Sequence, residues 1–463
     1  MRTVGLKVHV CPGTLLLAIT EVAVFVAILL NGVAFISERS STALDGGLAI
    51  RALIAAAVFV FTMWVLGAYD RRYATNLLRN RGRLLIASVI ISLAFWLVAL
   101  RQSGAGSFEA PSLLTSTILV LAAFLGVVVV RAAFGRGYAM AGPVQRILVL
   151  GTGGPAARIE NIAGRDGQPG FTIAGFLAAA SEPCAVKTAD VISTTEPIPD
   201  LATRLNVGEI VVALANPTAS PTQSLWECRL RGIKVTDYRT FCEREAGTLE
   251  PDALDSSWLV YSEGFAMGAV NHAKRAFDLV VSIMFLIFIL PLAVATAIAI
   301  RLDSSGPVFH RQVRVGRNGT PFVMYKFRSM FVDSEHDGIA RWAASNDRRI
   351  TRVGSFVRRL HIDEIPQVVN VLRGDMSFIG PRPERPSFVE ELAGEIPHYA
   401  ERHRVRPGIT GWAQVNYQYG ASVEDARQKL GFDLYYIKNY SLALDFLILL
   451  RTIQAVLWPV GVR

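Results

Sequence analysis

Apolar and polar residues are not mixed evenly along this chain. Four apolar stretches, residues 14–36, 48–67, 84–100 and 113–134, open it. Each is close to the roughly 20 residues that a membrane-spanning helix needs. Basic residues mark one side. Arg2 and Lys7 precede the first stretch, Arg71, Arg72, Arg79, Arg81 and Arg83 crowd between the second and third, and Arg131, Arg136 and Arg146 follow the fourth. The other two connections carry little positive charge, so the positive-inside rule puts both ends of the expected bundle in the cytoplasm. Glu21 and Arg51 fall in or near these stretches, where they are expected to pair with each other or to sit near an interface.

The pattern then changes to that of a soluble α/β segment, residues 144–261. Arg146-Ile147-Leu148-Val149-Leu150 reads as a buried strand, and Gly151-Thr152-Gly153-Gly154-Pro155-Ala156 as a tight turn into a helix. Further strands are expected at residues 173–177, 209–214 and 233–238, spaced as βαβ units of a parallel sheet. The glycine turn is similar to a dinucleotide fingerprint, but no acidic residue follows at the distance that would hold a ribose. A Rossmann-like domain without a working cofactor site is expected.

A fifth apolar stretch, residues 276–300, differs from the first four. Lys274 and Arg275 flank its start, and Arg301, Arg311, Arg314 and Arg317 follow its end. Pro291 near its middle removes a helical hydrogen bond and kinks the helix. Positive charge at both ends and a central kink predict a re-entrant segment, residues 274–302, that enters and leaves by the cytoplasmic face. After it come amphipathic pieces. Ser422-Val423-Glu424-Asp425 is a capping-box start, and residues 447–460 suit a helix lying at the membrane interface.

Composition supports this division. Of 463 residues, 52% are hydrophobic, which favours a membrane protein with two or three units. The net charge of +9 suits cytoplasmic loops, an anionic membrane surface or phosphate-bearing substrates. No basic run is interleaved with aromatics, so nucleic acid is not an expected partner. Cys11, Cys184, Cys228 and Cys242 are scattered without CxxC spacing, so neither a zinc site nor a disulfide framework is suggested and reduced thiols are expected.

Candidate chemistry is concentrated at Asp363-Glu364. The pair follows Arg358-Arg359-Leu360-His361-Ile362 and precedes Ile365-Pro366-Gln367, with Arg382 held between Pro381 and Pro383 further on. Proline is tolerated in a first helical turn and Gly374 is a good C-terminal stop. A helix is therefore predicted over residues 364–373 with Asp363 near its N-cap. Arginines suit phosphate oxygens, and a carboxylate among them can attack phosphorus or hold Mg²⁺. Lys326 and Arg328 in Tyr325-Lys326-Phe327-Arg328 form a second cationic element.

Several ordered motifs carry a resemblance to a known family. They are Lys274-Arg275-Ala276-Phe277-Asp278, Gly306-Pro307-Val308-Phe309 with Gln312 and Arg314-Val315-Gly316, Lys326-Phe327-Arg328, and Asp363-Glu364-Ile365-Pro366-Gln367. Gly374-Asp375-Met376-Ser377, Gly380-Pro381-Arg382-Pro383, Arg406-Pro407-Gly408-Ile409-Thr410-Gly411-Trp412 and Asp433-Leu434-Tyr435-Tyr436 follow. Residues 274–463 thereby resemble the bacterial sugar transferases, the monotopic polyprenyl-phosphate hexose-1-phosphate transferases. The front of the chain resembles the large members, and Tyr417-Gln418-Tyr419-Gly420-Ala421-Ser422 resembles the exopolysaccharide subgroup found with exosortase-type systems.

The resemblance implies a fold and a reaction. The fold is a membrane α-helical bundle (residues 1–142), a Rossmann-like α/β domain (143–265) and a mixed α/β monotopic catalytic domain (270–463) with a re-entrant, proline-kinked helix. The reaction transfers hexose 1-phosphate from a UDP-sugar to undecaprenyl phosphate through a phosphosugar-aspartate, with release of UMP, at the cytoplasmic face of the bacterial inner membrane. It would start exopolysaccharide or glycoconjugate synthesis. Asp363 matches the family's nucleophile and Glu364 the residue linked to Mg²⁺. Arg358, Arg382 and Asp433 match family positions around phosphate, nucleotide or metal, and with Lys326 and Arg328 of the matching Lys326-Phe327-Arg328 motif they are the expected substrate-binding residues. Leu290-Pro291 departs from the Ser-Pro of some members. A homodimer is the implied assembly by analogy.

Three other classes compete. An oxidoreductase or epimerase using the Rossmann-like segment is opposed by the lack of any Tyr-x-x-x-Lys, and a non-catalytic export scaffold by the intact Asp363-Glu364 and Arg382. No Asp-x-Asp occurs, which opposes a metal-dependent glycosyltransferase of the nucleotide-sugar type.

Overall fold

In the computed structural model the chain divides into two units, Lys7–Tyr238 and Arg239–Arg463. The structure describes residues 16–28, 58–59, 62–63, 110–137, 145–164, 171–178, 183–187, 190–214, 216, 220–254, 264–265, 270–332, 349–417, 420 and 422–457. The expected stretch 84–100, most of 48–67 and Arg51 lie outside these residues.

Among the described residues the first unit has the apolar helices α1 (Leu16–Ile28) and α2 (Ala110–Gly137). Their ionisable residues are paired across them. Arg131 of α2 donates to both carboxylate oxygens of Glu21 in α1, at 2.5 and 3.2 Å, and both side chains are fully buried. Among the described residues the partner of Glu21 is Arg131, and the expected pairing with Arg51 lies outside them. A carboxylate among apolar side chains needs a hydrogen-bonded countercharge, and Arg supplies two parallel donors.

The α/β part follows. Its elements are β1 (Gln145–Leu150), α3 (Gly154–Gly164), β2 (Phe171–Leu177), β3 (Val191–Ile192), α4 (Ile198–Arg204), β4 (Glu209–Val212), α5 (Thr222–Leu230) and β5 (Lys234–Asp237). The strands form one parallel sheet in the order β3-β2-β1-β4-β5. Four of them lie where the hydrophobic runs predict them, and the two-residue β3 is too short to leave a pattern. Ile147, Leu148 and Val149 are fully buried, as expected of a central parallel strand covered on both faces. The glycine turn has Gly151 at φ +122°. Its backbone is engaged within the domain: Gly151 N donates to Leu177 O, and Thr152 O accepts from Ala185 N at 2.7 Å.

The second unit contains α6 (Tyr238–Ala246), the long α7 (Val270–Asp303), the antiparallel hairpin β6 (Phe309–Val315) and β7 (Pro321–Phe327), α8 (Arg352–Arg359), α9 (Gln367–Arg373), β8 (Ser377–Ile379), α10 (Pro386–Glu395), β9 (Gly408–Thr410), α11 (Trp412–Asn416), α12 (Val423–Lys438) and α13 (Leu442–Leu457). β8 and β9 pair in parallel. They approach so closely that a Cβ on Gly380 would sit 2.3 Å from Arg406 O. The capping box predicted at Ser422 forms with Asp425 at the start of α12.

Among the described residues α7 is the one helix long and apolar enough to cross a membrane. It is helical throughout its 34 residues, with Pro291 inside. Ile283, Ile287, Phe288, Val294, Ile298 and Leu302 are exposed along it, with Leu302 at 83%. Yet both ends are fastened to the same unit. At the start, buried Lys274 donates to Asp445 of α13 at 2.8 Å, and Arg275 donates to the last carbonyls of α9, Val371 O and Leu372 O. At the far end, Asp303 accepts from Val353 N at the start of α8 at 3.0 Å. Ile289, Ala293, Ala297 and Ile300 between them pack against Phe327, Val357, Ile362 and Ile365.

Candidate active site

Each site residue is delivered by a short, rigid element. Thr351 caps α8 by accepting from Gly354 N, and Arg358 projects from the last turn of that helix. Gly354 lets α8 lie directly on the chain after β7, since a Cβ there would stand 2.0 Å from Ser329 O. His361 follows in the left-handed conformation, φ 56°, which reverses the chain. Such a residue carries strain that the surrounding packing must hold.

The next turn carries the carboxylates. Residues Ile362–Glu364 form a 3₁₀ turn, and α9 begins only at Gln367 with Pro366 as its N-cap. The predicted helix therefore starts three residues late. Pro366 has no N–H to close a bond onto Ile362 O, so the tighter bonds Glu364 N to His361 O and Ile365 N to Ile362 O form instead. Gly374 closes α9 in the left-handed conformation, as the sequence predicts.

Glu364 is buried between two cations. Lys326 Nζ donates to its Oε1 at 3.0 Å, Arg382 NH2 donates to the same oxygen, and Arg382 NH1 reaches Oε2 at 3.3 Å. Burial alone would raise its pKa, but the charges and hydrogen bonds of Arg382 and Lys326 override that and hold it well below the usual carboxylate range. Asp363 is different. It is half-buried and has no hydrogen bond or ion pair among the described residues. Burial raises its pKa, with Lys326, Arg382 and Arg358 pulling the other way and Glu364 adding to the rise. Burial lowers the pKa of Lys326, and Glu364 opposes that.

The structure thus brings together Lys326, Arg358, Asp363, Glu364 and Arg382. Arg328 is used otherwise. Its guanidinium is buried and donates to Ser305 O at 2.8 Å and to Ser304 O and Oγ at 2.7 and 2.9 Å, which closes the C-terminal end of α7. Asp433 lies on α12, where its carboxylate accepts from Arg402. Burial raises Asp433 to about 6 against the pull of Arg402. Arg402 belongs to the site but was not predicted. It sits in a 3₁₀ helix, Tyr399–Arg404, that carries no recognisable sequence motif, and its long-range partners reveal it.

Among the described residues no group of three or more His, Cys, Asp or Glu is placed to hold a metal ion. The donors that face the site are carboxylate oxygens, one of them, Glu364 Oε2, engaged only by the 3.3 Å contact. Hard oxygens in such small number suit an ion that also takes phosphate oxygens from a substrate, the habit of Mg²⁺.

Comparison with known proteins places this geometry. A family model described as bacterial sugar transferase matches residues 269–459. A "UDP-glucose:undecaprenyl-phosphate glucose-1-phosphate transferase" of Caulobacter vibrioides is 42% identical over 260 residues, 53% of this chain and 94% of the relative. The chain belongs to the bacterial sugar transferase family. Within that family, a "UDP-N-acetylgalactosamine-undecaprenyl-phosphate N-acetylgalactosaminephosphotransferase" of Aeromonas hydrophila is 45% identical over 241 residues, 52% of this chain and 56% of the relative. A "UDP-glucose:undecaprenyl-phosphate glucose-1-phosphate transferase" of Escherichia coli is 43% identical over 190 residues, 40% of this chain and 41% of the relative. The matches to the Aeromonas and Escherichia coli proteins thus span about half of those relatives or less, and this chain's family-specific part is its second unit.

Proposed function

We propose that the chain transfers a hexose 1-phosphate from a UDP-sugar to undecaprenyl phosphate, the first step of a surface-polysaccharide pathway. The observation that carries this reading is the contrast at the site: Asp363, a carboxylate with no partner among the described residues, beside a carboxylate neutralised by two cations. The relatives named above act on undecaprenyl phosphate with glucose or N-acetylgalactosamine donors, which supports the same substrate classes here without choosing the sugar.

An oxygen of ionised Asp363 attacks the sugar-bearing phosphorus of the donor. A new P–O bond forms as the bond to UMP breaks, and UMP leaves with that electron pair. Arg358 and Arg382 offset the charge that builds on the phosphoryl oxygens. An oxygen of undecaprenyl phosphate then attacks the same phosphorus, the bond to Asp363 breaks, and the carboxylate is restored. Glu364 would hold Mg²⁺, which would supply positive charge to offset that of the phosphates. Lys326 and Arg382 hold Glu364 in a fixed place and ionised.

A re-entrant course for α7 fits the same reading. One unit grips both Lys274 at its start and Asp303 at its end, which favours entry and exit on one side over a full crossing. The exposed apolar side chains of α7 then face lipid on the side where the acceptor's phosphate lies. The first unit's helices and parallel sheet are consistent with a membrane bundle followed by a Rossmann-like domain.

The test is covalent capture. Full-length protein incubated with radiolabelled UDP-sugars and quenched should carry phosphosugar on Asp363, and Asp363→Asn should abolish both this adduct and transfer to lipid. Full transfer by the Asn variant would refute the reading.

A further inference from the structure

The main chain around Arg382 is held in an unusual way. Pro381 and Pro383 have no N–H, so this segment cannot be fixed by an ordinary ladder of donors. Its carbonyls are the available handles, and four consecutive ones are each taken. Pro381 O accepts from Gly408 N at 2.9 Å, and Glu384 O from Val315 N at 3.0 Å. Between them, Arg382 O accepts from Arg402 NH2 and Pro383 O from Arg314 NH1, both at 3.0 Å.

Arg402 is the deeper of these two arginines, at 6% exposure. Its donors are committed to protein: Nε and NH2 to Asp433 Oδ2 at 3.1 and 2.8 Å, and NH1 to Tyr399 OH at 2.7 Å. Asp433, at 1% exposure, is the carboxylate that forms an ion pair with it among the described residues. A chain of contacts therefore runs from α12 to the site, from Asp433 through Arg402 and the Arg382 backbone to the Arg382 guanidinium on Glu364.

We propose that Arg402 is a positioning residue that aims Arg382, and that Asp433 acts on the reaction through Arg402 and not by touching substrate or metal. The proposal rests on the transfer reaction proposed above. A buried guanidinium has a rigid fork, so a carbonyl bound to it is held in direction as well as distance. Displacement of a charged group by about 1 Å can cost on the order of 100-fold in rate.

The test is a double-mutant cycle on the full chain in lipid nanodiscs, with undecaprenyl phosphate and the UDP-sugar that wild type turns over. Arg402→Met, Asp433→Leu and the double variant are compared. Either single change leaves a buried group without its partner and can unfold the protein, whereas the double variant removes both charges and is expected to fold. Thermal unfolding of each variant shows which are folded. The expected result is a kcat lowered about 10–100-fold in Arg402→Met, with KM for the UDP-sugar within about 3-fold, and a double variant no slower than Arg402→Met. In an Arg382→Lys background, Arg402→Met should lower kcat little further, because its route to the reaction is already broken. A merely structural role would give the same factor in both backgrounds and would overturn the proposal. So would a double variant at least 10-fold slower than a folded Arg402→Met. If the singles do not fold, a folded double variant within about 2-fold of wild-type kcat overturns it, and one at least 10-fold slower whose further loss disappears in the Arg382→Lys background supports it. Failure of the transfer reading itself would be visible earlier, as wild type that turns over no UDP-sugar.

Discussion

Asp363 and Glu364 are adjacent in the chain yet opposite in their electrostatic surroundings. Glu364 accepts from Lys326 and Arg382, while Asp363 makes no hydrogen bond or ion pair among the described residues. Exchange of charge for an isosteric amide should therefore separate the two. Asp363→Asn is expected to abolish transfer and to leave the thermal midpoint unchanged or slightly raised. Glu364→Gln is expected to lose activity and also about 2 kcal/mol of stability, between the surface and buried limits, because Arg382 keeps 38% of its side chain in solvent. Denaturant melts of both variants check this. Equal destabilisation by the two changes would contradict it.

Arg328 is expected to matter for folding and not for substrate affinity. Its hydrogen bonds to Ser304 and Ser305 close α7. Arg328→Ala should cost about 2–3 kcal/mol while KM for the UDP-sugar in the surviving folded protein stays within about 2-fold. A KM raised 10-fold at unchanged stability would return Arg328 to the substrate.

Gly354 sets how near α8 and Arg358 come to the carboxylates. A Cβ at this position meets the Ser329 carbonyl at 2.0 Å, and backbone cannot give way as a side chain can. Gly354→Ala is expected to cost about 3 kcal/mol and to lower kcat, because α8 must move outward. A crystal structure of the variant with Arg358 in place would disprove the displacement.

His403 should make the second unit acid-sensitive. Burial first, and the neighbouring Arg402 charge second, lower its pKa to about 4. The folded state thus binds fewer protons than the unfolded chain between about 6.5 and 4. The stability linked to neutral His403 is fully present above about 6.5 and is lost as pH falls through that window. His403→Gln should show a smaller drop in thermal midpoint from pH 7 to pH 4.5 than wild type, whose other groups titrate alike in both. Parallel curves would show that His403 contributes nothing.

A cysteine placed at Ser304 or Ser305, in a background without the native cysteines, should react with a membrane-impermeant maleimide only from the cytoplasmic side. Labelling from the periplasm would restore a full crossing by α7.

Much of this arrangement was legible before the structure. Long apolar runs marked α1, α2 and α7, and four strand patterns marked most of the parallel sheet. Gly374 and the Ser422 capping box marked two helix boundaries because their chemistry is local. What could not be read is what depends on distant partners. Glu21 finds Arg131 at a separation that no window spans. Lys326 and Arg328 look alike in sequence, but one meets Glu364 and the other turns to the carbonyls after α7. Arg402 belongs to no pattern and is defined only by Asp433, Tyr399 and the Arg382 carbonyl. Even the start of α9 was misplaced for a reason of this kind, since one missing N–H at Pro366 tightened the turn that carries both carboxylates.

The grip of one unit on both ends of α7 has a mechanical consequence. A helix that crosses a bilayer must tilt or stretch its surroundings when membrane thickness changes. A helix moored at Lys274 and again at Asp303 to the same body cannot tilt independently of it. On the re-entrant course proposed above, the height of Asp363 above the lipid would be set by the protein alone, and the enzyme would feel the packing of one leaflet while ignoring the thickness of the whole membrane.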